Sequence, residues 1–470
     1  MADAYNQTKI VATIGPASES PEIMEKLIDA GVNIFRFNTK HSTPEWHGDH
    51  IKQAQKIADT KKITLGILLD LQGPEIRLET RNKADVCVKL GQELTIGQAF
   101  VKGIDVVIPH AQVFKLVKTG QDLLIDNGFV ETKVIAATDR ELIVKVKNDA
   151  VIKHRKGVNL PGLDIDFPSL IENDIKQITM NARNKVDYVG LSFVRSGKDI
   201  KLLRAEMDKE DMQARIVAKI ESQPALDRID EIIAASDAVM VARGDLGVEV
   251  PLEQLAYWQK TIIEKCRREN KPVITATQML ESMINNPRPT RAEATDVAHA
   301  IFDGTDAIML SAESASGLYP VRTVETMARI AKWNEKLRDQ ENLSFARSDA
   351  TTTIAEAAVS IVQSGVKPKI DAMVVFTETG FTAAAISRYR LPIPVIAVTD
   401  NQKTAESLTL SFAVTPIVAQ FPSGPFTTAE HILADLSQRS ILHHGDTILV
   451  VHGYHWQKPG NTNTITLTTT

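Results

Sequence analysis

The residues most suited to chemistry in this sequence lie in two short motifs, Lys219-Ile220-Glu221 and Gly244-Asp245. Each motif follows an apolar run typical of a buried strand, 215–218 for the first and 237–241 for the second. Because side chains alternate along a strand, Lys219 and Glu221 are expected to point to the same side. Two carboxylates at neighbouring strand ends, with a lysine between them, suit a hard divalent cation beside an anionic substrate. A Lys-x-Glu motif alone is more typical of a buried salt bridge, so it is the second motif that favours a metal and anion site.

The composition narrows the class of protein. The chain has 470 residues, which predicts two or three domains, and its hydrophobic (43%) and charged (24%) fractions are those of a globular protein. A net charge of -5 argues against nucleic acid as the main partner. Two distant cysteines match no zinc pattern and fit a reducing cytoplasm. Neither a signal peptide nor an apolar run of about 18 residues is visible, so no membrane partner is expected.

Short apolar strands alternate with amphipathic helices through much of the chain. The predicted strands are 10–14, 34–37, 64–70, 188–191, 215–218, 237–241, 273–276 and 307–310. The predicted helices between them include 21–29, 47–58, 172–184 and 224–234. About eight such units is the number at which a parallel barrel closes, so the sequence predicts a (β/α)8 TIM barrel.

Two further units interrupt and follow this alternation. From 73 to 160 the chain is β-rich, and an insertion after the third strand lies on the face where barrel enzymes do chemistry. A lid domain is therefore predicted, although a passive decoration would give the same pattern. A polar stretch at 342–353 marks the next boundary, and later strands predict a C-terminal doubly wound α/β domain. The predicted domains are 1–72 and 161–345 for the barrel, 73–160 for the lid and 346–470 for the C-terminal domain.

Several segments of this chain resemble pyruvate kinase. They are, in chain order, 8–18, 73–77, 156–162, 192–195, 219–221, 240–247, 276–280, 289–293 and 303–304. The resemblance spans the barrel and both edges of the insertion, whereas the last domain matches more loosely. It implies a cytoplasmic homotetramer that transfers a phosphoryl group from phosphoenolpyruvate to ADP in the last step of glycolysis. The products would be pyruvate and ATP, formed through the enolate of pyruvate.

The resemblance also implies roles for the residues of the opening motifs. Glu221 and Asp245 would hold Mg²⁺ or Mn²⁺, and Lys219 would lie against the transferring phosphoryl group and the enolate oxygen. Backbone N–H groups of Gly244 and Asp245, at the start of a helix, would receive the substrate carboxylate. Thr277 matches a hydroxyl near the methylene carbon that is protonated, and as an alternative or in addition it could cap a helix.

Further matched residues come from the second and third strands and from the lid. By resemblance, Arg36 would contact the phosphoryl group, and Asn38 and Asp70 would surround a monovalent cation. His41 and Arg77 match residues near the phosphates and the nucleotide, although His41 taken alone is more typical of a surface histidine.

The residues around the monovalent cation depart from the family pattern. Lys40 replaces the serine of a common Asn-Phe-Ser-His-Gly, and Leu71 replaces the threonine of a common Asp-Thr-Lys-Gly-Pro. A lysine carries a compact positive charge of the same sign as the ion, and it is expected to pair with Asp70 or Glu75. The sequence therefore predicts that potassium is not required. The alternative is that Lys40 turns out to solvent.

A loop in the last domain is a candidate effector site. Residues 377–382 follow a predicted strand and open a helix, where a sheet of this kind binds phosphate. Regulated relatives often have a basic residue here, whereas this chain has Glu378 and Phe381. Little activation by fructose 1,6-bisphosphate is expected, with a sugar monophosphate or no effector as alternatives, and an ordinary βα turn would look the same. The candidate effector residues are Thr377, Thr379, Gly380 and Thr382.

Two other functions fit parts of the sequence. One is a metal-dependent lyase of the phosphoenolpyruvate and pyruvate type, which also stabilises enolates in a barrel. Such a lyase needs no lid that closes on a nucleotide, whereas 73–160 supplies one. The other is a degenerate paralogue that binds ligand and regulates without turnover. Against it stand the retained residues Lys219, Glu221, Asp245, Arg36 and Thr277.

Overall fold

The computed structural model describes residues 6–338, 345, 349–421, 430–453 and 462–470. The chain begins with three parallel strands, β1 (Lys9–Thr13), β2 (Ile34–Asn38) and β3 (Gly66–Asp70), connected by helices α1 (Pro21–Asp29) and α2 (Pro44–Lys61). Both helices begin with proline directly after a capping residue. The Ser20 hydroxyl accepts from the Ile23 N–H, and the Thr43 hydroxyl accepts from the Trp46 N–H.

A β-rich unit follows β3, as the sequence predicts. Its elements are β4 (Glu79–Thr80), β5 (Val86–Val88), β6 (Glu93–Gly97), β7 (Val106–Val107), α3 (Ala111–Leu116), β8 (Asp122–Ile125), β9 (Val130–Ala137), β10 (Glu141–Val146), β11 (Ala150–Ile152) and β12 (Val158–Asn159), with a 3₁₀ turn at Arg81–Lys83. Seven strands form one sheet in the order β12-β8-β9-β10-β6-β7-β4, and β5 pairs with β11. The unit has a hydrophobic core of its own, built mainly of valine, leucine and isoleucine.

The barrel then resumes and closes. Its later elements are α4 (Glu172–Asn181), β13 (Tyr188–Leu191), α5 (Gly197–Lys209), β14 (Arg215–Ile220), α6 (Gln223–Asp227), α7 (Ile229–Ala235), β15 (Ala238–Ala242), α8 (Arg243–Glu249), α9 (Leu255–Arg268), β16 (Val273–Ala276), α10 (Arg291–Phe302), β17 (Ala307–Leu310), α11 (Ala312–Ala315) and α12 (Pro320–Glu335). Two 3₁₀ turns, Leu252–Gln254 and Glu281–Ile284, lie between them. The strand order β1-β17-β16-β15-β14-β13-β3-β2 makes a closed barrel of eight parallel strands, which confirms the prediction.

One predicted barrel helix is wrong in detail. The sequence predicts a single helix over 224–234, whereas the structure has α6 and α7 separated at Arg228. Arg228 has φ -119° and ψ 25°, outside the helical region, so the chain turns there. The apolar periodicity continues across this turn, which is why it resembles one helix in the sequence.

The C-terminal unit is an open sheet with helices on both faces. Its elements are α13 (Ala350–Gln363), β18 (Ala372–Phe376), α14 (Phe381–Ser387), β19 (Val395–Thr399), α15 (Gln402–Ser407), β20 (Val414–Val418), α16 (Glu430–Gln438), β21 (Thr447–Gly453) and β22 (Thr462–Thr469). The strand order is β20-β19-β18-β21-β22. Alternate residues of β18 pack against α13 and α14 on one face and α16 on the other, which confirms a doubly wound domain.

The sequence misses both edge strands of this sheet. Pro416 interrupts the pattern of β20, and proline is tolerated there because an edge strand leaves one side unpaired. The threonine-rich tail forms β22, which is antiparallel to β21. Half of the polar stretch at 342–353, where a domain boundary is predicted, lies outside the described residues. Within the ranges that the structure describes, no helix has the length and apolar character needed to cross a bilayer.

Candidate active site

The predicted site residues gather at the carboxyl ends of the barrel strands. Asn38 and Asp70 end β2 and β3 and are register partners in the sheet. Lys219 lies near the end of β14, and Thr277 directly follows β16. Asp245 lies in α8, directly beyond β15. The β-rich lid is inserted at this same end of the barrel, directly after β3.

Lys219 lies at the centre of the cluster. Its Nζ is 2.9 Å from Oε1 of Glu221 and 3.4 Å from Oδ1 of Asp70, and it donates to Oγ of Ser192 at 2.6 Å. Burial disfavours the charged ammonium, but the two carboxylates outweigh burial and raise the pKa of Lys219 above its ordinary value. The site therefore holds a fixed positive charge at neutral pH.

Asp70 binds a second fixed cation. The Arg36 Nε lies 2.7 Å from Oδ2 of Asp70, and its Nη1 donates to Oγ1 of Thr13 at 2.9 Å. Burial opposes ionisation of Asp70, yet Lys219 and Arg36 hold its pKa below the ordinary value. A Cβ at Gly190 would lie 2.8 Å from Oδ1 of Asp70, so glycine in the next strand leaves room for this carboxylate.

Glu221 and Asp245 are the carboxylates of the cluster whose burial is least offset by hydrogen bonds and positive charge. Glu221 accepts from the Phe193 N–H at 2.7 Å. The carboxylate of Asp245 has no hydrogen-bond or ion-pair partner among the residues that the structure describes. Burial raises the pKa of both groups, and the Asp245 charge raises that of Glu221 further. Two such carboxylates suit a divalent cation, which would take its remaining ligands from substrate or water, since no described group of three acidic or metal-ligating side chains surrounds the position.

Lys40, His41 and Arg77 lie around Glu75 at the entrance to the lid. Of the two carboxylates named as partners for Lys40, the structure places Glu75 next to it, with Nζ and Oε2 2.9 Å apart. Nη2 of Arg77 lies 2.7 Å from the same oxygen. Partial burial and the neighbouring positive charges, that of Lys40 first, lower the pKa of His41. Oδ1 of Asn38 accepts from the Lys40 N–H at 3.2 Å.

Thr277 lies in a strained turn, with φ 69°. Its Oγ1 accepts from the Gly244 N–H at 2.7 Å and donates to the Ala276 carbonyl at 2.6 Å. Thr277 is therefore not the cap of a helix that follows it, and that alternative is wrong. The Gly244 N–H, predicted to bind the substrate carboxylate, is already engaged with Thr277. The Asp245 N–H, in the first turn of α8, has no intrahelical partner and is the better placed of the two donors.

A cavity of about 110 Å³ lies between the lid and the barrel. Its walls include Glu75 and Asn159 from the lid and Asp245 and Glu249 from α8. Nδ2 of Asn159 donates to Oε1 of Glu249 at 3.3 Å, and burial raises the pKa of Glu249 to about 7. Asn159 thus connects the return segment of the lid to the helix that carries Asp245.

The candidate effector residues lie apart from this cluster, in the C-terminal domain. The Gly380 N–H donates to Oγ1 of Thr377 at 2.9 Å, and Thr382 shares a 2.9 Å hydrogen bond with Thr462. Gly380 has φ 83°, the left-handed conformation that glycine adopts without strain. Thr377 and Thr382 are buried, and their hydroxyls are hydrogen-bonded within the protein, as in an ordinary βα turn.

Sequence reasoning misses several residues that hold the cluster in place. Ser192 bridges Lys219 to the Leu71 carbonyl, and the Phe193 N–H fixes Glu221 from a backbone with φ 54°. Ser192 directly follows β13, so the strand-end rule that finds Glu221 would also find it. Asp174 accepts from the Gln72 N–H at 2.9 Å at the entrance to the lid, and no pattern in the sequence indicates this contact.

A closed α/β barrel with a charged cluster at the carboxyl ends of its strands is the architecture of a barrel enzyme. The model of the pyruvate kinase barrel domain matches residues 5–324, and that of the pyruvate kinase alpha/beta domain matches residues 352–468. The chain is 41% identical to the pyruvate kinase of Sporosarcina psychrophila, over 97% of this chain and 79% of the relative. It is 40% identical to that of Bacillus licheniformis, over 95% and 78% respectively. The chain therefore belongs to the pyruvate kinase family and is a phosphotransferase, which sets the lyase alternative aside.

Proposed function

We propose that this protein is a catalytically active pyruvate kinase that transfers a phosphoryl group from phosphoenolpyruvate to ADP. The observation that carries the proposal is the buried Lys219 ammonium among Asp70, Glu221 and the unpartnered carboxylate of Asp245. A degenerate paralogue would have no reason to keep this arrangement, because buried charges are costly unless they are used or fully paired.

Charge neutralisation is the main task of the proposed site, since phosphoryl transfer needs positioning more than covalent chemistry. An oxygen of the terminal phosphate of ADP forms a bond to the phosphorus, and the bond from phosphorus to the enol oxygen breaks. The electron pair stays on that oxygen and gives the enolate. Lys219 stabilises the developing negative charge because it stays protonated, and Arg36 binds the phosphoryl oxygens.

Glu221 and Asp245 are the proposed ligands of Mg²⁺ or Mn²⁺. Their raised pKa values reflect burial with too little positive charge nearby, which a divalent cation would supply. When bound there, the ion would neutralise the enolate and carboxylate oxygens of the substrate. The Asp245 N–H is the proposed donor to the substrate carboxylate, with the Gly244 N–H occupied by Thr277.

Protonation of the enolate at its methylene carbon completes the reaction, and Thr277 is the proposed hydroxyl beside that carbon. His41 and Arg77 are proposed to bind the nucleotide. Lys40 is proposed to replace the monovalent cation. What supports this proposal is the charge already present: Asp70 forms ion pairs with Arg36 and Lys219, and Oδ1 of Asn38 accepts from the Lys40 N–H, whereas Oδ1 of Asp70 accepts no hydrogen bond from the described residues. The cytoplasmic location and the homotetramer remain predictions from the resemblance.

A coupled assay tests the proposal. Purified protein is mixed with phosphoenolpyruvate, ADP and Mg²⁺, and ATP and pyruvate are measured separately. Equal rates of formation of both products are expected. Pyruvate without ATP would indicate a phosphatase, and the absence of both products would favour the regulatory paralogue.

A further inference from the structure

Arg243 is a buried arginine that the proposed reaction does not use. It directly follows β15, two residues before Asp245, and 7% of its surface is exposed. Its Nη1 lies 2.6 Å from Oδ1 of Asp296 and donates to Oε1 of Gln259 at 3.2 Å. Nε2 of Gln259 in turn donates to Asp303 at 2.8 Å. Two outer helices of the barrel therefore fix one edge of the guanidinium.

The other edge of the guanidinium faces the end of the neighbouring strand. Nε of Arg243 donates to the Ala276 carbonyl at 3.2 Å, and Nη2 donates to the Thr277 carbonyl at 2.8 Å. Nη2 also lies 2.7 Å from the sulfur of Met279. Because a guanidinium presents its donors in a rigid plane, binding two consecutive carbonyls fixes the orientation of the peptide between them.

That peptide carries a conformation that needs support. Thr277 has φ 69° and Gln278 has φ 54°, and a β-branched residue rarely adopts the left-handed region. Such backbone strain persists only where surrounding contacts impose it. Two contacts support this turn. The Arg243 guanidinium donates to the Ala276 and Thr277 carbonyls, a pair of hydrogen bonds called the fork below, and the Gly244 N–H donates to the Thr277 hydroxyl.

The Ala276 carbonyl connects Arg243 to the chemistry of the hydroxyl. In the structure the Thr277 hydroxyl donates to this carbonyl at 2.6 Å, so its hydrogen is engaged with the backbone. When the hydrogen rotates toward a substrate, the carbonyl oxygen keeps the hydrogen bond from Arg243 Nε. The rotation then leaves no buried acceptor unsatisfied, which removes a cost that would otherwise oppose it.

We propose that Arg243 is a positioning residue that sets the Thr277 hydroxyl for protonation of the enolate. This inference rests on the proposed function. In the step, the hydroxyl gives its proton to C3 of the enolate while water returns a proton to the oxygen. The electron pair of the C2–C3 double bond forms the new C–H bond, and the enolate oxygen becomes the carbonyl oxygen of pyruvate.

Two rates separate positioning from general damage. A catalyst that protonates the enolate also removes a proton from pyruvate, so exchange of the pyruvate methyl hydrogens in D₂O, followed by NMR with Mg²⁺ and ATP present, reports proton transfer. ATP formation from phosphoenolpyruvate reports phosphoryl transfer, which does not need Thr277 because released enolpyruvate can become pyruvate in water. In Arg243→Lys, which keeps the charge beside Asp296 but loses the fork, we expect exchange to fall on the order of 100-fold and ATP formation to fall far less.

The matched control is Arg390→Lys at the opposite end of the barrel. Arg390 is also buried, lies 2.6 Å from Asp306 and donates to the Gly304 and Ser387 carbonyls, so it should lose stability without changing the ratio of the two rates. If Arg243→Lys does not fold, Asp296→Asn serves in its place, because it weakens the ion pair that holds Arg243. It should also lower the ratio of the exchange rate to the rate of ATP formation.

The outcomes distinguish this inference from the function on which it rests. If the wild-type protein is active and Arg243→Lys lowers exchange and ATP formation equally, the role of Arg243 is overturned and the proposed function stands. The same holds for Asp296→Asn if Arg243→Lys does not fold. A wild-type protein that forms no ATP would overturn the proposed function, and this inference with it.

Discussion

Nζ of Lys219 lies 2.9 Å from Oε1 of Glu221, the carboxylate proposed as a ligand of the divalent cation. In the absence of that cation, the lysine is the nearest compensating charge for Glu221, and no equivalent partner serves Asp245 in the described part of the chain. The ammonium and the proposed metal ion would therefore share one carboxylate. Lys219 must repel a divalent cation electrostatically while it helps the substrate bind beside it.

Lys219→Ala should separate these two effects. We expect phosphoryl transfer to fall on the order of 100-fold or more, because a preorganised donor at a developing negative charge is lost. The same variant should bind Mn²⁺ about tenfold more tightly without substrate, since a unit charge a few ångströms away is removed. The coupled assay measures the first effect and paramagnetic relaxation of water protons measures the second. Activity within a few-fold of wild type would remove Lys219 from the mechanism.

Glu221→Gln and Asp245→Asn should raise the Mg²⁺ concentration needed for half-maximal activity. Each change keeps the shape of the side chain and removes one negative charge from the proposed metal site. Asp237→Asn is the matched control. Asp237 directly precedes β15, the strand that leads to Asp245, and it lies at the opposite end of the barrel, where it pairs with Arg204 at 2.8 Å. A magnesium titration that neither active-site change shifts would place the metal elsewhere.

The barrel and the sites at its strand ends could be predicted because two signals coincide. The strands are almost fully buried, so each reads as an apolar run, and a charged residue where the run stops is conspicuous. Lys219, Glu221 and Asp70 follow that rule. The edge strands of the C-terminal sheet do not, because β20 contains proline and β22 is rich in threonine.

The backbone contacts of the site could not be predicted for a different reason. Arg243 stands in a motif that draws attention to its neighbour Asp245, yet its role depends on which carbonyls lie within reach across the barrel. The Gly244 N–H, which the sequence predicts to bind the substrate carboxylate, donates to Oγ1 of Thr277 in this structure. Such contacts depend on φ angles like the 69° of Thr277, which no residue pattern in this segment indicates.

Glu249 should make the stability of the metal-free protein depend on pH. Burial raises its pKa from 4.5 to about 7, so the folded state holds a proton that the unfolded state releases between these values. The stabilisation is complete below pH 4.5 and is lost as pH rises through 7. Glu249→Gln should therefore gain stability over wild type at pH 8.5, by up to about 3 kcal/mol, and gain little at pH 4.5. Thermal unfolding at both pH values in EDTA measures this.

The control for this comparison is Glu141→Gln on an exposed position of β10. It should show the same difference from wild type at both pH values. Equal behaviour of Glu249→Gln and Glu141→Gln would mean that Glu249 is ionised in the folded protein at neutral pH.

Fructose 1,6-bisphosphate should activate this enzyme little. The Thr377 and Thr382 hydroxyls already have partners within the protein, and Phe381 and Glu378 stand in the loop where regulated relatives often have a basic residue. We expect the half-saturating concentration of phosphoenolpyruvate to stay within about twofold, which corresponds to less than about 0.5 kcal/mol of coupling. A large fall at micromolar fructose bisphosphate would contradict this, whereas a response to a sugar monophosphate alone would favour a weaker phosphate site in the same loop.

Near-full activity without potassium is expected from the environment of Lys40. Its Nζ lies 2.9 Å from Glu75, at the entrance to the lid, and Leu71 places a buried apolar side chain where the family pattern has a threonine hydroxyl. The ion pair is partly exposed, so its contribution to stability is small. It nevertheless keeps a positive charge near the lid without any need for a bound monovalent cation. Activity is measured in potassium chloride and in tetramethylammonium chloride at equal ionic strength.

The decisive comparison is Lys40→Ser against Lys52→Ser. The first change restores the hydroxyl of the family pattern and removes the ammonium, so it should lower activity in tetramethylammonium and allow potassium to restore it. Lys52 is exposed on α2, and its replacement should alter neither value. If wild-type protein is strongly activated by potassium, Lys40 does not replace the ion. If Lys40→Ser is equally active in both salts, the Lys40 charge is not needed for catalysis and its pairing with Glu75 is only structural.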